Sequence, residues 1–289
     1  MRLGVHIRIG GGLVRALDRA RELGCEAVQL FSGNPNSWAR TPLDLDAASL
    51  FAATAAELGI HPIVLHTPYL VNLAAPDEEI WNKSRSVLAD AVQRAPLMGV
   101  SYIVTHIGSH KGEGYEDGVR RIGEAVRFAL DATPEPVIAL EMGSGSGNSI
   151  GSRFEQMEDI LDRLTDAGDR VGICIDTAHL WGAGYDISTA AGVEAMFALL
   201  DRHVGFEKLK VVHLNDTQMA LDSRRDRHYH IGKGQVGLEG FRAIMNYPGT
   251  QNLPGIIETP GEDDLTHDRE NLATLRNLRM AKLAEQPHP

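Results

Sequence analysis

Short apolar runs recur along the chain, and a segment with helical spacing follows each of them. The runs are rich in β-branched residues, as buried strands of parallel sheets are, and a glycine ends several of the helical segments. The predicted strands lie at residues 3–7, 27–31, 63–66, 102–106, 137–141, 171–175, 209–214 and 255–258. The predicted helices lie at 13–23, 43–58, 77–97, 115–130, 154–164, 192–200, 238–245 and 263–284.

Regular alternation of strands and helices predicts an α/β protein with a parallel sheet. Eight such units within 289 residues are typical of a closed (β/α)8 barrel, the TIM barrel, which takes about 250 residues. We predict one barrel domain over residues 1–284 and a polar tail at 285–289. The alternative fold is an open doubly wound sheet, which would place a ligand in one crevice between two strands.

The stretch at residues 171–187, VGICIDTAHLWGAGYDI, joins a predicted strand to candidate chemistry. Asp176 ends the apolar run and His179 follows within one turn, so two side chains of metal-binding type lie at one strand end. The alternative is structural, because a carboxylate at this position also caps the following turn and the imidazole would then lie on the surface.

Side chains of metal-binding type end six successive predicted strands, and in a barrel all these ends surround one mouth. They are His66, His106, Glu141, Asp176, His213 and Glu258, and three more, His179, Asp226 and His228, lie in the loops that follow. One such residue alone is usually structural, but six in succession are poorly explained in that way. A catalytic zinc ion needs only three protein ligands, so nine residues suit two or three ions that share a bridging carboxylate.

The formal net charge is −11, which by itself argues against a nucleic-acid partner. Three divalent ions would change it to −5 and concentrate the added charge at the barrel mouth, so net charge does not decide the partner. Two cysteines are too few for a disulfide framework. No apolar stretch reaches the length of about 18 residues that a transmembrane helix needs. We therefore expect a cytoplasmic protein that does not bind membranes.

Six segments carry longer and more specific motifs: HTPYLVNLA (66–74), THIGSH (105–110), ALEMGSGSGNSIG (139–151), CIDTAHLWGAGYD (174–186), HLNDTQMALDSRRDRHYHIGKG (213–234) and IIETPG (256–261). In these segments the chain resembles the endonuclease IV family of zinc-dependent apurinic/apyrimidinic endonucleases. The resemblance implies three zinc ions, held by His66, His106 and Glu141, by Glu141, Asp176, His213 and Glu258, and by His179, Asp226 and His228. Glu141 would bridge two of them, and manganese or iron would be able to replace some of the zinc.

The resemblance also implies a reaction, the hydrolysis of the phosphodiester 5′ to an abasic site in duplex DNA. The products would be a 3′-hydroxyl and a 5′-deoxyribose phosphate, and trimming of damaged 3′ ends would be a further activity. Clustered divalent ions supply a nucleophile at neutral pH, so no side-chain nucleophile is needed and Glu141 is the predicted catalytic residue. We expect a monomer that acts on damaged DNA in the nucleoid.

Residues of three loops are predicted to contact DNA, chiefly Tyr69, Leu70, Asn36 and Arg227. Tyr69 and Leu70 match the apolar residues with which the family enters the duplex, where a missing base lowers the cost of unstacking. Without the resemblance, a cover over the barrel top would be favoured for this pair. Asn36 departs from the family, which often has an arginine there, and a neutral amide cannot contact phosphate as arginine does. Arg227 and the arginines at 224 and 225 are candidates for phosphate contacts, and a solvated loop is the alternative.

Two other functions stay open at this stage. A sugar isomerase or epimerase on a similar barrel needs one or two metal ions and a base, so it has no use for His179, Asp226 and His228. A protein that binds damaged DNA through its metals without cleaving it is the other alternative. The departure at Asn36 permits it, and the complete set of ligand residues opposes it.

Overall fold

A ring of eight parallel strands forms the centre of the fold. The computed structural model describes residues 1–261 and 265–279. The strands are Arg2–His6 (β1), Ala27–Phe31 (β2), Ile63–His66 (β3), Val100–His106 (β4), Val137–Glu141 (β5), Val171–Asp176 (β6), Leu209–His213 (β7) and Pro254–Ile257 (β8). They pair in sequence order, and β8 pairs with β1 to close the barrel. The predicted (β/α)8 fold is therefore confirmed, and the open doubly wound sheet is wrong because its two edge strands would not pair.

Helices follow the strands around the outside of the barrel. In the described part of the chain they are Leu13–Leu23 (α1), Leu45–Glu57 (α2), Glu78–Arg94 (α3), Tyr115–Leu130 (α4), Phe154–Asp162 (α5), Thr177–Gly182 (α6), Ala190–His203 (α7), Gly237–Asn246 (α8) and Thr266–Leu278 (α9). The sequence did not predict α6. Residues 263–264 and 280–284 of the last predicted helix, and the predicted tail at 285–289, lie outside the described residues.

Capping side chains account for most of the shifts between predicted and observed helix starts. Asp44 accepts a hydrogen bond from the Ala47 amide at 3.0 Å, so α2 begins after it rather than at residue 43. The hydroxyl of Thr189 accepts from the Gly192 amide at 3.1 Å, so α7 begins two residues earlier than predicted. A capping hydrogen bond is a single local contact, and the spacing of apolar residues in the sequence does not reveal it.

Strand pleating decides what lies inside the barrel, because successive side chains point to opposite faces. The packed interior consists of Ala27, Val64, Val104, Ala139, Cys174, Val211 and Ile256. The side chain two positions after each of these residues also points into the barrel and lies one layer nearer the mouth. These side chains are Gln29, His66, His106, Glu141, Asp176, His213 and Glu258, and His6 stands in the same relation to Gly4 on β1. We call these eight residues the polar ring.

The opposite faces of the strands pack against the helices and form the main core, which includes the fully buried Phe51, Phe154, Phe197 and Phe241. This core surrounds the barrel on all sides, and it holds the strand ends, and with them the polar ring, in fixed positions. Among the described residues, every helix is too short or too polar to span a membrane.

Candidate metal centre

The nine predicted metal-binding residues meet at the barrel mouth. Ligand atoms of three groups lie within 4.8 Å of one another in each group. The groups are His66, His106 and Glu141; Glu141, Asp176, His213 and Glu258; and Asp176, His179 and His228. Asp226 lies beside the third group. Residues spread over almost 200 positions of the sequence thus form one continuous cluster, as the barrel topology predicts.

Glu141 occupies the middle of this cluster and is buried, with 3% of its surface exposed. Its Oε2 lies 3.1 Å from Nε2 of His66 and 3.1 Å from Nε2 of His106. Its Oε1 faces the other way, 3.1 Å from Nδ1 of His213 and 3.6 Å from Nδ1 of His179. The two oxygens therefore serve different groups, which is the geometry of a bridging carboxylate.

Asp176 caps a helix with one oxygen and faces the candidate cluster with the other. Its Oδ1 caps α6 by accepting from the amides of Ala178 at 2.7 Å and His179 at 3.1 Å. Its Oδ2 faces the cluster, 3.4 Å from Nε2 of His228, and accepts from Nδ2 of Asn215 at 2.7 Å. The cap starts the six-residue helix that carries His179, so the structural role of Asp176 positions the next candidate ligand.

Asp226 and His228 reach the cluster from the long loop between β7 and α8. The carboxylate of Asp226 lies 3.2 Å from Nε2 of His179 and 3.3 Å from Nε2 of His228. The side chain of Asp226 is 52% exposed, whereas Asp176, which shares the third group, is fully buried. The third group thus has two carboxylates within reach, one more than the resemblance implied.

Asp216 holds the two ends of this loop together through hydrogen bonds to backbone amides. It is fully buried, and its two oxygens accept hydrogen bonds from the amides of Thr217, Gly232, Gly234 and Val236 at 2.8–3.0 Å. Burial raises the pKa of Asp216 and these amides oppose the rise. A single side chain therefore closes both ends of the segment that presents Asp226 and His228.

Hydrogen bonds to backbone carbonyls orient three of the five imidazoles. Nδ1 of His66 donates to the carbonyl of Thr67 at 2.6 Å, and Nδ1 of His179 donates to that of Met142 at 2.8 Å. Nδ1 of His228 lies 3.3 Å from the carbonyl of Glu258. In each ring the proton on Nδ1 leaves the lone pair of Nε2 directed at the cluster, as metal-binding histidines require.

Opposite charges dominate the electrostatics of the cluster. Burial lowers the pKa of His228, but Asp176 and Asp226 outweigh burial and raise that pKa to about 9. Burial likewise opposes ionisation of Glu141, yet the charges of His106 and His213 hold its pKa well below the usual range. The cluster thus favours ionised carboxylates, and cations are needed to balance them. Protonated imidazoles supply that charge when metal ions do not.

The donor set fits metal ions better than a hydrogen-bonded network. Nε2 of His179 and Nε2 of His228 are buried and have no hydrogen-bond partner of acceptable geometry among the described residues, although carboxylate oxygens lie within 3.4 Å. Atoms that converge without bonding to each other suit a common ion between them. Imidazole and carboxylate are ligands of zinc, manganese and iron, so the residues present fit the predicted ions.

An open cavity of about 730 Å³ lies between this cluster and the loop at 143–150. Tyr69 and Leu70 form part of its rim and are 56% and 36% exposed. Their loop contacts the loop after β2, because the Tyr69 amide donates to the carbonyl of Pro35 at 3.1 Å. Asn36 and Arg227 are exposed. The structure therefore brings Tyr69 and Leu70 to the mouth. It also brings the backbone of Asn36 close to this pair, because Asn36 directly follows Pro35 in the chain.

Sequence reasoning missed three residues that contact the candidate ligands, of which two are fully buried and one is partly buried. His6, which the sequence motifs do not single out, is partly buried, and its Nδ1 lies 2.7 Å from Oε1 of Glu258. Gln29 contacts both Glu258 and His213, and Asn215 links Asp176 to the Glu258 amide. A polar glutamine within the apolar run AVQLF was the one available signal for Gln29. Its partners become visible only when the barrel closes.

Eight parallel strands closed into a barrel, with a cluster of side chains of metal-binding type at its mouth, define a TIM-barrel protein with a candidate multi-metal site. In agreement, residues 17–281 match the family described as xylose isomerase-like TIM barrel. The chain is 41% identical over 279 residues to the probable endonuclease 4 of Chloroflexus aurantiacus, covering 96% of this chain and 98% of that protein. It is 42% identical over 278 residues to the probable endonuclease 4 of Methanoculleus marisnigri, with the same coverage of both proteins.

The chain therefore belongs to the endonuclease IV family. The crystal structure of endonuclease IV from Thermus thermophilus superposes with a TM-score of 0.85 at 34% identity, covering 96% of this chain and 98% of that one. A D-tagatose 3-epimerase-like protein also superposes, with a TM-score of 0.71 over 96% of this chain and 98% of that one. Its identity of 17% shows a shared fold and nothing more.

Proposed function

We propose that this protein is a zinc-dependent endonuclease of DNA repair that hydrolyses the phosphodiester 5′ to abasic sites in duplex DNA. The products are a 3′-hydroxyl and a 5′-deoxyribose phosphate, and removal of blocked 3′ ends is a secondary activity. The observation that carries the proposal is the position of Glu141, whose two oxygens face two separate groups of ligands. The family relationship supports the choice of DNA as the substrate.

The residues would hold three zinc ions, with manganese or iron as alternative metals. Each ion would have one of the three groups described above, and Asp226 would complete the third. Bound divalent ions supply a nucleophile at neutral pH by lowering the pKa of water, and they neutralise charge that develops on phosphate oxygens. Six positive charges against four carboxylates leave an excess that faces the DNA backbone, although the chain as a whole is acidic.

The chain's own residues position the reacting groups and open the duplex. Glu141 fixes the separation of two groups and excludes other anions from the space between them. Tyr69 and Leu70 stand exposed on the rim, where aromatic and aliphatic side chains would enter the base stack at the lesion. An abasic site has already lost one stacking partner, so insertion costs least there. Arg227, which is exposed in the loop after β7, would contact phosphates outside the lesion.

The third group argues against the sugar-epimerase alternative. An epimerase of this fold needs one or two ions and a base, whereas His179, Asp226 and His228 form an additional group, of which His179 and Asp226 line the cavity. A phosphodiester needs charge both on its non-bridging oxygens and on its leaving oxygen, which a further ion provides. The extra ligands thus have a use in phosphoryl chemistry and none in proton transfer at a sugar carbon.

The test is incision of a labelled duplex that contains one tetrahydrofuran abasic analogue. We expect zinc-loaded protein to cut once, 5′ to the analogue, and a polymerase to extend the product. Prolonged chelation should abolish the cut, and added zinc should restore it. An intact duplex after incubation with protein that holds its full zinc complement would refute the proposal, and ketose epimerisation would then be assayed with the same sample.

A further inference from the structure

Two members of the polar ring, Gln29 and His6, are not among the nine proposed ligands, yet both contact those ligands. Nε2 of Gln29 donates to Oε1 of Glu258 at 2.6 Å, and its Oε1 lies 2.9 Å from Nε2 of His213. Nδ1 of His6 lies 2.7 Å from Oε1 of Glu258. We propose that Gln29 and His6 are positioning residues that direct His213 and Glu258 at the metal ions. This inference rests on the metal centre of the proposed function.

The hydrogen-bonding capacity of each group decides the orientation of Gln29. A ligand carboxylate is ionised and only accepts, so the amide NH2 of Gln29 has to face Glu258. The carbonyl oxygen of Gln29 then faces Nε2 of His213, which has to carry the proton. Nδ1 of His213 keeps its lone pair, 3.1 Å from Oε1 of Glu141 and 3.3 Å from Oε2 of Glu258. Gln29 thus selects the nitrogen that His213 presents to the ions.

No backbone carbonyl performs this task for His213 among the described contacts. His66, His179 and His228 each use a carbonyl oxygen next to the ring and present Nε2. The ring of His213 points its Nε2 across the barrel toward β2, where the strand carbonyls are engaged in the sheet. A long polar side chain from β2 is therefore needed, and Gln29 is fully buried in that position.

Gln29 and His6 also give the two carboxylate oxygens of Glu258 different functions. Oε1 accepts from both residues, and Oε2 is left for the ions. The nitrogens of Gln29 and His6 lie 2.9 Å apart, but both donate to Oε1, so this contact is not a hydrogen bond. Nε2 of His6 is buried without a partner in the described part of the chain. Among the described residues, the hydrogen bond from Nδ1–H to Glu258 is thus the polar contact that the His6 ring makes.

Substitutions that remove these contacts without a change of volume test the inference. Gln29→Met keeps the shape and loses both polar groups. We expect zinc affinity, measured by competition with a chromogenic chelator, to fall about 10- to 100-fold. The visible spectrum of the cobalt-substituted protein should also change, because the ligand geometry at His213 changes. The circular dichroism of the metal-free variant should match that of the wild type.

A second pair of variants separates positioning from packing. His6→Phe keeps a ring and removes the donor, whereas His6→Asn returns an amide nitrogen to the place of Nδ1. We expect His6→Phe to weaken zinc binding and His6→Asn to restore most of it. Thr250→Val is the matched control, since Thr250 is fully buried and hydrogen-bonded to backbone carbonyls in the turn before β8, at the opposite end of the barrel.

Wild-type zinc affinity and an unchanged cobalt spectrum in Gln29→Met would overturn the inference, as would equal affinities of His6→Phe and His6→Asn. If Gln29→Met does not fold, the two His6 variants decide the question. These measurements need no DNA. A wild-type protein that binds zinc in a Gln29-dependent manner but does not cut abasic DNA would refute the proposed function and leave this inference standing.

Discussion

Replacement of Glu141 by glutamine tests the bridging geometry most directly. The substitution Glu141→Gln keeps the volume and removes the charge that two groups of ligands share. One amide oxygen can still accept, but the amide nitrogen that replaces the other oxygen repels a cation. We therefore expect two ions to be weakened together, rather than one.

The magnitude follows from burial. Glu141 is 3% exposed and has four imidazole nitrogens within 3.6 Å. Loss of one partner from a buried ionic group costs about 3–5 kcal/mol. Since about 1.4 kcal/mol corresponds to a factor of ten, zinc affinity should fall by about two to four orders of magnitude. Turnover should fall at least as far, because the ions that would stabilise the transition state are no longer held.

The assay combines the zinc content of dialysed protein with incision of the abasic duplex at saturating substrate. Glu57→Gln is the matched control, because it makes the same chemical change at an exposed position near the end of α2, at the opposite end of the barrel. It should keep full zinc content and full turnover. Glu141→Gln protein with normal zinc content and normal turnover would refute the bridging role, even if other ligands proved essential.

Four further outcomes are expected. Asp216→Asn cannot accept from four amides, so it should lower the free energy of unfolding by about 3 kcal/mol or more in urea titrations and weaken binding of the third zinc ion. Tyr69→Ala should raise KM for the abasic duplex about tenfold while zinc content stays normal. Asn36→Arg should tighten binding of abasic duplex in gel-shift titrations, because arginine can contact phosphate. In metal-free protein, protonated His228 stabilises the fold, because its pKa is raised to about 9. This stabilisation is complete below the pKa of histidine in the unfolded chain, about 6.5. That stability, up to about 3 kcal/mol, should be lost as pH rises to 9.

Each of these outcomes has a result that contradicts it. Unchanged stability of Asp216→Asn would show that the loop does not depend on this anchor. A loss of zinc in Tyr69→Ala would mean that the ring supports the metal centre instead of entering DNA. Equal affinity of Asn36→Arg and wild type would place the loop tip away from the duplex. Zinc-loaded protein should lack the pH dependence, because ligated imidazoles carry no proton on the bound nitrogen, and a persistent dependence would assign it to other groups.

The sequence predicted the six strand-end ligands because each ends an apolar run, where a charged side chain is conspicuous. His66 and His106, for example, each follow buried valines at a spacing of two, and the pleat then fixes their direction. The sequence did not predict α6, because six residues are too few to show helical periodicity. The start of this helix is set by the capping hydrogen bonds to Asp176. The sequence also did not show that Asp176 belongs to the third group, since that depends on where a long loop returns.

The chain by itself determined the number of strands, their order along the barrel and the residue types that reach its mouth, because periodicity and strand ends are local properties. Only the tertiary structure decided which of these residues touch. Gln29 and Glu258 are 229 positions apart in the chain, and no local pattern links them. Their contact exists because β8 pairs with β1 and closes the barrel, which brings β2, the other neighbour of β1, and the end of β8 to the same side of one cluster.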